Sequence, residues 1–201
     1  MSAVPAPAAR FSVGVFCGSR TGSDPAFAVL AAALGTAIGR RGWRLVYGGG
    51  EVGLMGVVAR AALDAGGTAL GVIPQRLLDR EVGKRDLTEL RVTATMFERK
   101  ADLIREADAF VALPGGLGTL DEILDVLTLR QLGYHAKPML LLDHEGFWRG
   151  FAAVVTQFVA AGFAEASAVR LQELVPDLEA VLARLDAVAS EQRSQCEVAA
   201  Q

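Results

Sequence analysis

The stretch "VALPGGLGTLDEIL", Val111 to Leu124, decides how the rest of the chain is read. Its first residues are apolar and suited to a strand, Pro114 closes that run, and three glycines lead into Leu120, Ile123 and Leu124 at helical spacing. A strand that passes through a glycine turn directly into a helix is half of a βαβ unit. The same alternation recurs on either side. "FSVGVFC" (11–17), "WRLVY" (43–47), "TALGVI" (68–73), "AFVALP" (109–114) and "PMLLLD" (138–143) are strand candidates, and helical patterns cover 25–41, 54–65, 96–107, 119–132, 147–161 and 177–189. Runs that are apolar at nearly every position predict strands covered on both faces, as in a parallel sheet between two helical layers. The expected fold is α/β, a single doubly wound Rossmann-like domain over 11–189 with a mostly parallel sheet flanked by helices. Residues 1–10 read as a disordered lead-in and 190–201 as a flexible tail. The charged region 74–92 reads as a loop lining a site.

Composition narrows the partners. The 201 residues are 52% hydrophobic and include 22 glycines, which suits helices packed closely on a sheet. A net charge of -3, from 20 basic and 23 acidic residues without a basic run, predicts no nucleic-acid partner and no anionic membrane surface. The most apolar stretch, "FAAVVTQFVAAGFA" (151–164), is too short to span a bilayer and reads as a buried or dimer-facing helix. Cys17 and Cys196 form no disulfide framework, so the expected compartment is the reducing cytoplasm.

In open sheets of this class, ligands lie beyond the carboxyl ends of the strands. Three glycine turns are available there: "CGSRTGSD" (17–24), "YGGGEVGLMG" (47–56) and "PGGLGTLDE" (114–122). Gly48, Gly50 and Gly53 match a dinucleotide fingerprint in spacing, but the next strand ends in "GVIPQR" without the acid that would hold a ribose hydroxyl. No GxxxxGK[ST] loop exists. The third turn has the character of an anion cradle, with glycines that admit a ligand to the backbone and a helix N-terminus behind them. Two readings of Glu122 stand open. Thr119-Leu120-Asp121-Glu122 is a capping box, with Glu122 turned back to its own backbone. Alternatively, Glu122 faces a bound sugar, where a carboxylate stabilises an electron-poor anomeric carbon. Arg99 alone would read as a surface helix arginine paired with Glu98, Asp102 or Glu106. Cys17 reads as a buried small residue, and no His/Cys cluster suggests a metal.

"PGGLGTLDE" resembles the PGGxGTxxE signature of the Lonely Guy (LOG) family, the cytokinin riboside 5′-monophosphate phosphoribohydrolases. "MFERK" (96–100) supplies the Arg-Lys pair that accompanies it, and "FCGSR" and "YGGGEVGLMG" stand where family members carry them. The resemblance spans about residues 11–185. It implies hydrolysis of the N-glycosidic bond of a nucleoside 5′-monophosphate, adenosine or N6-prenylated adenosine, to free base and ribose 5-phosphate. Arg99 and Glu122 would then be catalytic. Glu81, Arg99, Lys100, Gly115, Gly116, Leu117, Gly118, Thr119, Leu120 and Asp121 would form the substrate site, with Gly18, Ser19, Gly48, Gly49, Gly50 and Met96 as further candidates. The resemblance also implies a homodimer with the Arg99-Lys100 helix near its interface. No cofactor is expected. The label lysine decarboxylase, often attached to such sequences, requires a Schiff-base lysine, and Lys84, Lys100 and Lys137 stand in no such arrangement. The competing function is a nucleotide or nucleotide-cofactor carrier, which would need the cradle but not the Arg99 and Glu122 pair.

Overall fold

The computed structural model of the protein describes residues 10–79 and 86–199. Seven strands, β1 (Ser12–Phe16), β2 (Arg44–Tyr47), β3 (Thr68–Pro74), β4 (Glu89–Thr93), β5 (Ala109–Ala112), β6 (Met139–Leu142) and β7 (Glu173–Val175), form one sheet in the order β4-β3-β2-β1-β5-β6-β7. Every neighbouring pair is parallel. β1 has β2 on one side and β5 on the other, so the strand order reverses there. The loops leaving β1 and β5 consequently diverge, which opens a crevice at the carboxyl edge.

The helices are α1 (Ala26–Arg40), α2 (Gly53–Asp64), α3 (Gln75–Leu78), α4 (Met96–Glu106), α5 (Leu117–Gln131), α6 (Arg149–Ala160) and α7 (Leu178–Ala199). α1, α2 and α7 bury Leu34, Ile38, Val58, Val181 and Leu185 against one face of the sheet. α4 and α5 bury Leu103, Ile123 and Val126 against the other, and Phe16 stacks on Phe110 beneath them. Both sheet faces are thus dry. That explains strands such as β1, β5 and β6, in which every residue is buried and no alternation survives.

Three departures from the sequence expectations have physical causes. The region expected to be a loop over 74–92 contains α3 and β4, an edge strand whose charges disguise it. Arg91 bonds Glu89 and Glu106 at 2.8 Å each, and Arg44 reaches Glu89 at 3.0 Å, so the outer edge is charged and self-paired. β7, on the opposite edge, is only three residues long and carries no pattern. α7 runs on through the segment expected to be a tail. Neither glycine nor proline follows Pro176 up to Ala199, and the Ser190 and Ser194 hydroxyls bond the carbonyls of Asp186 and Ser190 one turn back. For α6, expected to be buried or dimer-facing, the first alternative does not hold, since the single chain buries none of its residues.

Candidate active site

α5 begins at Leu117, two residues before the sequence expectation, with Gly116 as its N-cap at φ -100°, ψ -153°. No side chain caps it. The first main-chain bond at this end runs from Leu120 N–H to Gly116 O at 3.0 Å, so the amides of Leu117, Gly118 and Thr119 precede any helical acceptor. A Cβ placed on Gly116 or Gly118 would meet nothing within 4 Å, and Leu117 is 86% exposed. The result is an open, partially positive pole at the crevice. The capping-box reading of Thr119 to Glu122 does not hold, because Thr119 already lies inside the first turn.

A variant of the capping box, shifted by one residue on its return bond, forms at the start of α4, where Thr95 is the N-cap. The Thr95 hydroxyl accepts the Glu98 N–H at 3.1 Å, and the Glu98 carboxylate accepts the Ala94 N–H at 2.9 Å. This fixes the start of α4 and commits Glu98 to the backbone, leaving the next residue, Arg99, to turn inward. Arg99 and Glu122 are each only 8% exposed. Arg99 Nη2 lies 2.8 Å from Glu122 Oε1, and Arg99 Nε donates to the Val72 carbonyl of β3 at 3.1 Å. The surface pairing considered for Arg99 is absent among the described residues; Asp102 and Glu106 pair with Arg91 instead. Beside this pair, Lys100 Nζ reaches Asp125 at 2.7 Å and Asp121 at 3.1 Å. Asp125 stands four residues after Asp121, a helical spacing by which the sequence alone could have revealed it.

Burial pushes the Glu122 carboxyl up to about 7, and the Arg99 guanidinium only partly offsets that shift. An acid held there is both an available proton acceptor and a potential donor near neutrality. Burial, and secondarily Glu122, drives the Cys17 thiol well above the ordinary thiol range, so it remains a protonated, buried small residue as expected.

The second glycine turn lies behind the pair. A Cβ on Gly48 would collide with Arg99 Nη2 and lie 2.9 Å from Met55 Sδ. Gly49 takes φ +77° against Ile73, and Gly50 is buried. Gly18 and Ser19, by contrast, line a cavity of about 660 Å³ together with Arg20, Phe27, Phe147 and Gly115 to Leu117. Arg99, Lys100 and Glu122 are not among the residues that line it. Nothing local in the sequence marks Phe27 and Phe147 as neighbours, yet their rings lie 5.9 Å apart, edge to face. Met96 opens α4 and is partly exposed; Leu120 is half-buried and Asp121 exposed. Glu81 lies outside the described residues.

One group with metal-ligand chemistry appears among the described residues. Asp24, His144 and Glu145 bring ligand atoms within 4.8 Å of one another. Asp24 is already engaged there, accepting the Ala26 N–H at 2.8 Å at the start of α1.

A family profile described as "Possible lysine decarboxylase" matches residues 55–185. A cytokinin riboside 5′-monophosphate phosphoribohydrolase of Arabidopsis thaliana is 41% identical over 183 residues, covering 88% of this chain and 86% of that protein. Another of the same name from Oryza sativa subsp. japonica is 43% identical over 172 residues, covering 86% and 71%. Among solved structures, the molybdenum cofactor carrier protein of Chlamydomonas reinhardtii superposes with a TM-score of 0.68 over 90% of this chain and 99% of that one, at 23% identity. That likeness speaks to the fold alone. With a cradle, a buried Arg-Glu pair and sequence identity of this extent, the chain belongs to the Lonely Guy (LOG) family of cytokinin riboside 5′-monophosphate phosphoribohydrolases.

Proposed function

We propose that the protein hydrolyses the N-glycosidic bond of adenosine 5′-monophosphate or its N6-substituted relatives, releasing free base and ribose 5-phosphate. The observation that carries this reading is the buried contact, 2.8 Å long, between Arg99 in the first turn of α4 and Glu122 in the second turn of α5, the helix whose N-terminus forms the cradle. The amides of Leu117 to Thr119 hold the 5′-phosphate, and that remote binding energy places the anomeric carbon. As the bond to the base lengthens, water adds to that carbon. Glu122 takes the water's proton, and the base departs with the bonding electrons and gains a proton from solvent. A carboxyl raised by burial suits the proton-accepting role, and Arg99 favours its ionised form and aims it. Glu81, Lys100 and the exposed Asp121 belong to the substrate site in this reading, Lys100 through its two aspartates.

The carrier reading is weaker, since a carrier has no use for a buried ion pair behind its cradle. Amine chemistry on a lysine is also disfavoured. Lys100 is tied to Asp121 and Asp125, and Lys137 Nζ donates to the carbonyls of Ile104 and Arg105 at 2.6 and 3.1 Å, closing α4. We place the protein in the cytoplasm as a homodimer with small-molecule substrates and neither nucleic acid nor membrane as partner. The dimer is supported by apolar side chains bare on α4 and α5, including Met96, Phe97 (81% exposed) and Leu124. No described helix is long and apolar enough to cross a membrane.

The test is to incubate the protein with AMP, N6-isopentenyladenosine monophosphate and adenosine, and to follow free base. Release from the monophosphates and not from adenosine is expected. Glu122→Gln, which keeps a hydrogen-bonding partner for Arg99, should lower that rate by about 10²–10⁴ with the fold retained. Equal turnover of AMP and adenosine, or full activity in the glutamine variant, would refute the assignment.

A further inference from the structure

Arg20 follows β1 at the carboxyl edge of the sheet. Its main chain is tightly seated. Gly18 N–H donates to Pro114 O at 3.2 Å and Leu54 N–H to Gly18 O at 3.1 Å, which ties the β1 loop to both of the other glycine turns. A Cβ on Gly53 would press on the Ser19 carbonyl and come within 2.6 Å of Arg20 N, and one on Gly18 would lie 2.8 Å from Arg20 O. The guanidinium is exposed and has no ion pair or hydrogen bond among the described residues; the same holds for Arg40, Arg76 and Arg170, but of these four only Arg20 lines the cavity. The other wall of that cavity is Gly115 to Leu117, the opening of α5. A fixed backbone with an idle planar cation beside a cluster of unused amides is the arrangement that bidentate phosphate recognition requires.

Building on the hydrolase reading, we propose that Arg20 is a phosphate ligand of this site, gripping the 5′-monophosphate from the β1 loop while the α5 amides hold it from the other wall. Arg20 thereby sets the preference for the nucleotide over the nucleoside. The hydroxyls of Ser19, Thr21 and Ser23, which line the same cavity, surround the same anion.

The experiment measures kcat and KM for AMP, and the Kd of ribose 5-phosphate by calorimetry, in the wild type, Arg20→Ala and Arg20→Lys at low and high salt. Arg20→Ala should raise KM and Kd by about tenfold or more, leave kcat within about twofold and flatten the salt dependence; Arg20→Lys should recover part of the loss. Unchanged KM and Kd in Arg20→Ala, or a fall in kcat alone, would overturn the assignment while leaving the hydrolase reading intact. If the wild type releases no base from AMP, the hydrolase reading fails, and the ribose 5-phosphate Kd still decides the role of Arg20. A tenfold weakening supports it and equal affinity ends it.

Discussion

The turns at 47–56 and 114–122 look alike on paper, each a strand running through glycines into a helix, and they serve opposite ends. In the first, glycines are absent volume filled by the protein itself. Arg99 and Met55 crowd Gly48, Ile73 lies against Gly49, and the Ser19–Arg20 backbone occupies the space beside Gly53. In the second, Gly116 and Gly118 face open space, and only Gly115 is filled, by Thr119. The lesson is that glycine spacing identifies a close approach but not what approaches. The GxGxxG spacing at 48–53 marks chain packed on chain, and PGGLG leaves room for something from outside.

Substitutions can break this contrast. Gly53→Ala should have the largest effect, costing about 3 kcal/mol or more in chemical denaturation, because it adds both a backbone collision and a side chain at φ +66°. A loss under about 1 kcal/mol would mean the packing is loose. Gly48→Ala should come next, destabilising by about 1–3 kcal/mol and cutting kcat about tenfold or more as Arg99 is driven off Glu122. Full activity in that variant would show the ion pair to be dispensable.

The acid behind the open turn supplies a third test, in pH. Glu122 is raised by burial from 4.5 to about 7, so the folded protein holds a proton that the unfolded chain has already released. Its contribution to stability is complete below about pH 4.5 and is lost as pH rises through about 7. The stability of the wild type, taken relative to Glu122→Gln, should therefore decline across that window, while base release rises over the same range. A flat difference would place the carboxyl at its ordinary value. Gly116→Ala should be the mildest, within about 0.5 kcal/mol in stability yet raising KM for AMP several-fold, since its methyl group intrudes only on a ligand. A Tm drop without a KM change would reverse the meaning of the open turn.

Much of this architecture could be read in advance because the physics is local. Strands covered on both faces become unbroken apolar runs, and β1, β5 and β6 are of that kind. β4 escaped because an edge strand bristling with Glu89 and Arg91 has the composition of a loop, and its salt bridges reach residues far along the chain. The site divides the same way. The cradle follows from glycines next to a helix start. Whether Glu122 caps or pairs does not, because both outcomes fit the same four letters, and the answer depends on Thr95 and Glu98 having turned Arg99 inward. The Val72 carbonyl could never have been named from sequence, since any residue offers one.

The Arg99 side chain touches both halves of the sheet, β3 through Val72 and the β5 side through Glu122, across the point where strand order reverses. It is therefore a tie-rod as well as a part of the proposed chemistry. Losing either end leaves a buried ion uncompensated, a defect of about 3–5 kcal/mol. Inactive versions of this protein made by truncating Arg99 or Glu122 will thus be fragile ones, and durability and turnover should rise or fall together here instead of being exchanged for one another.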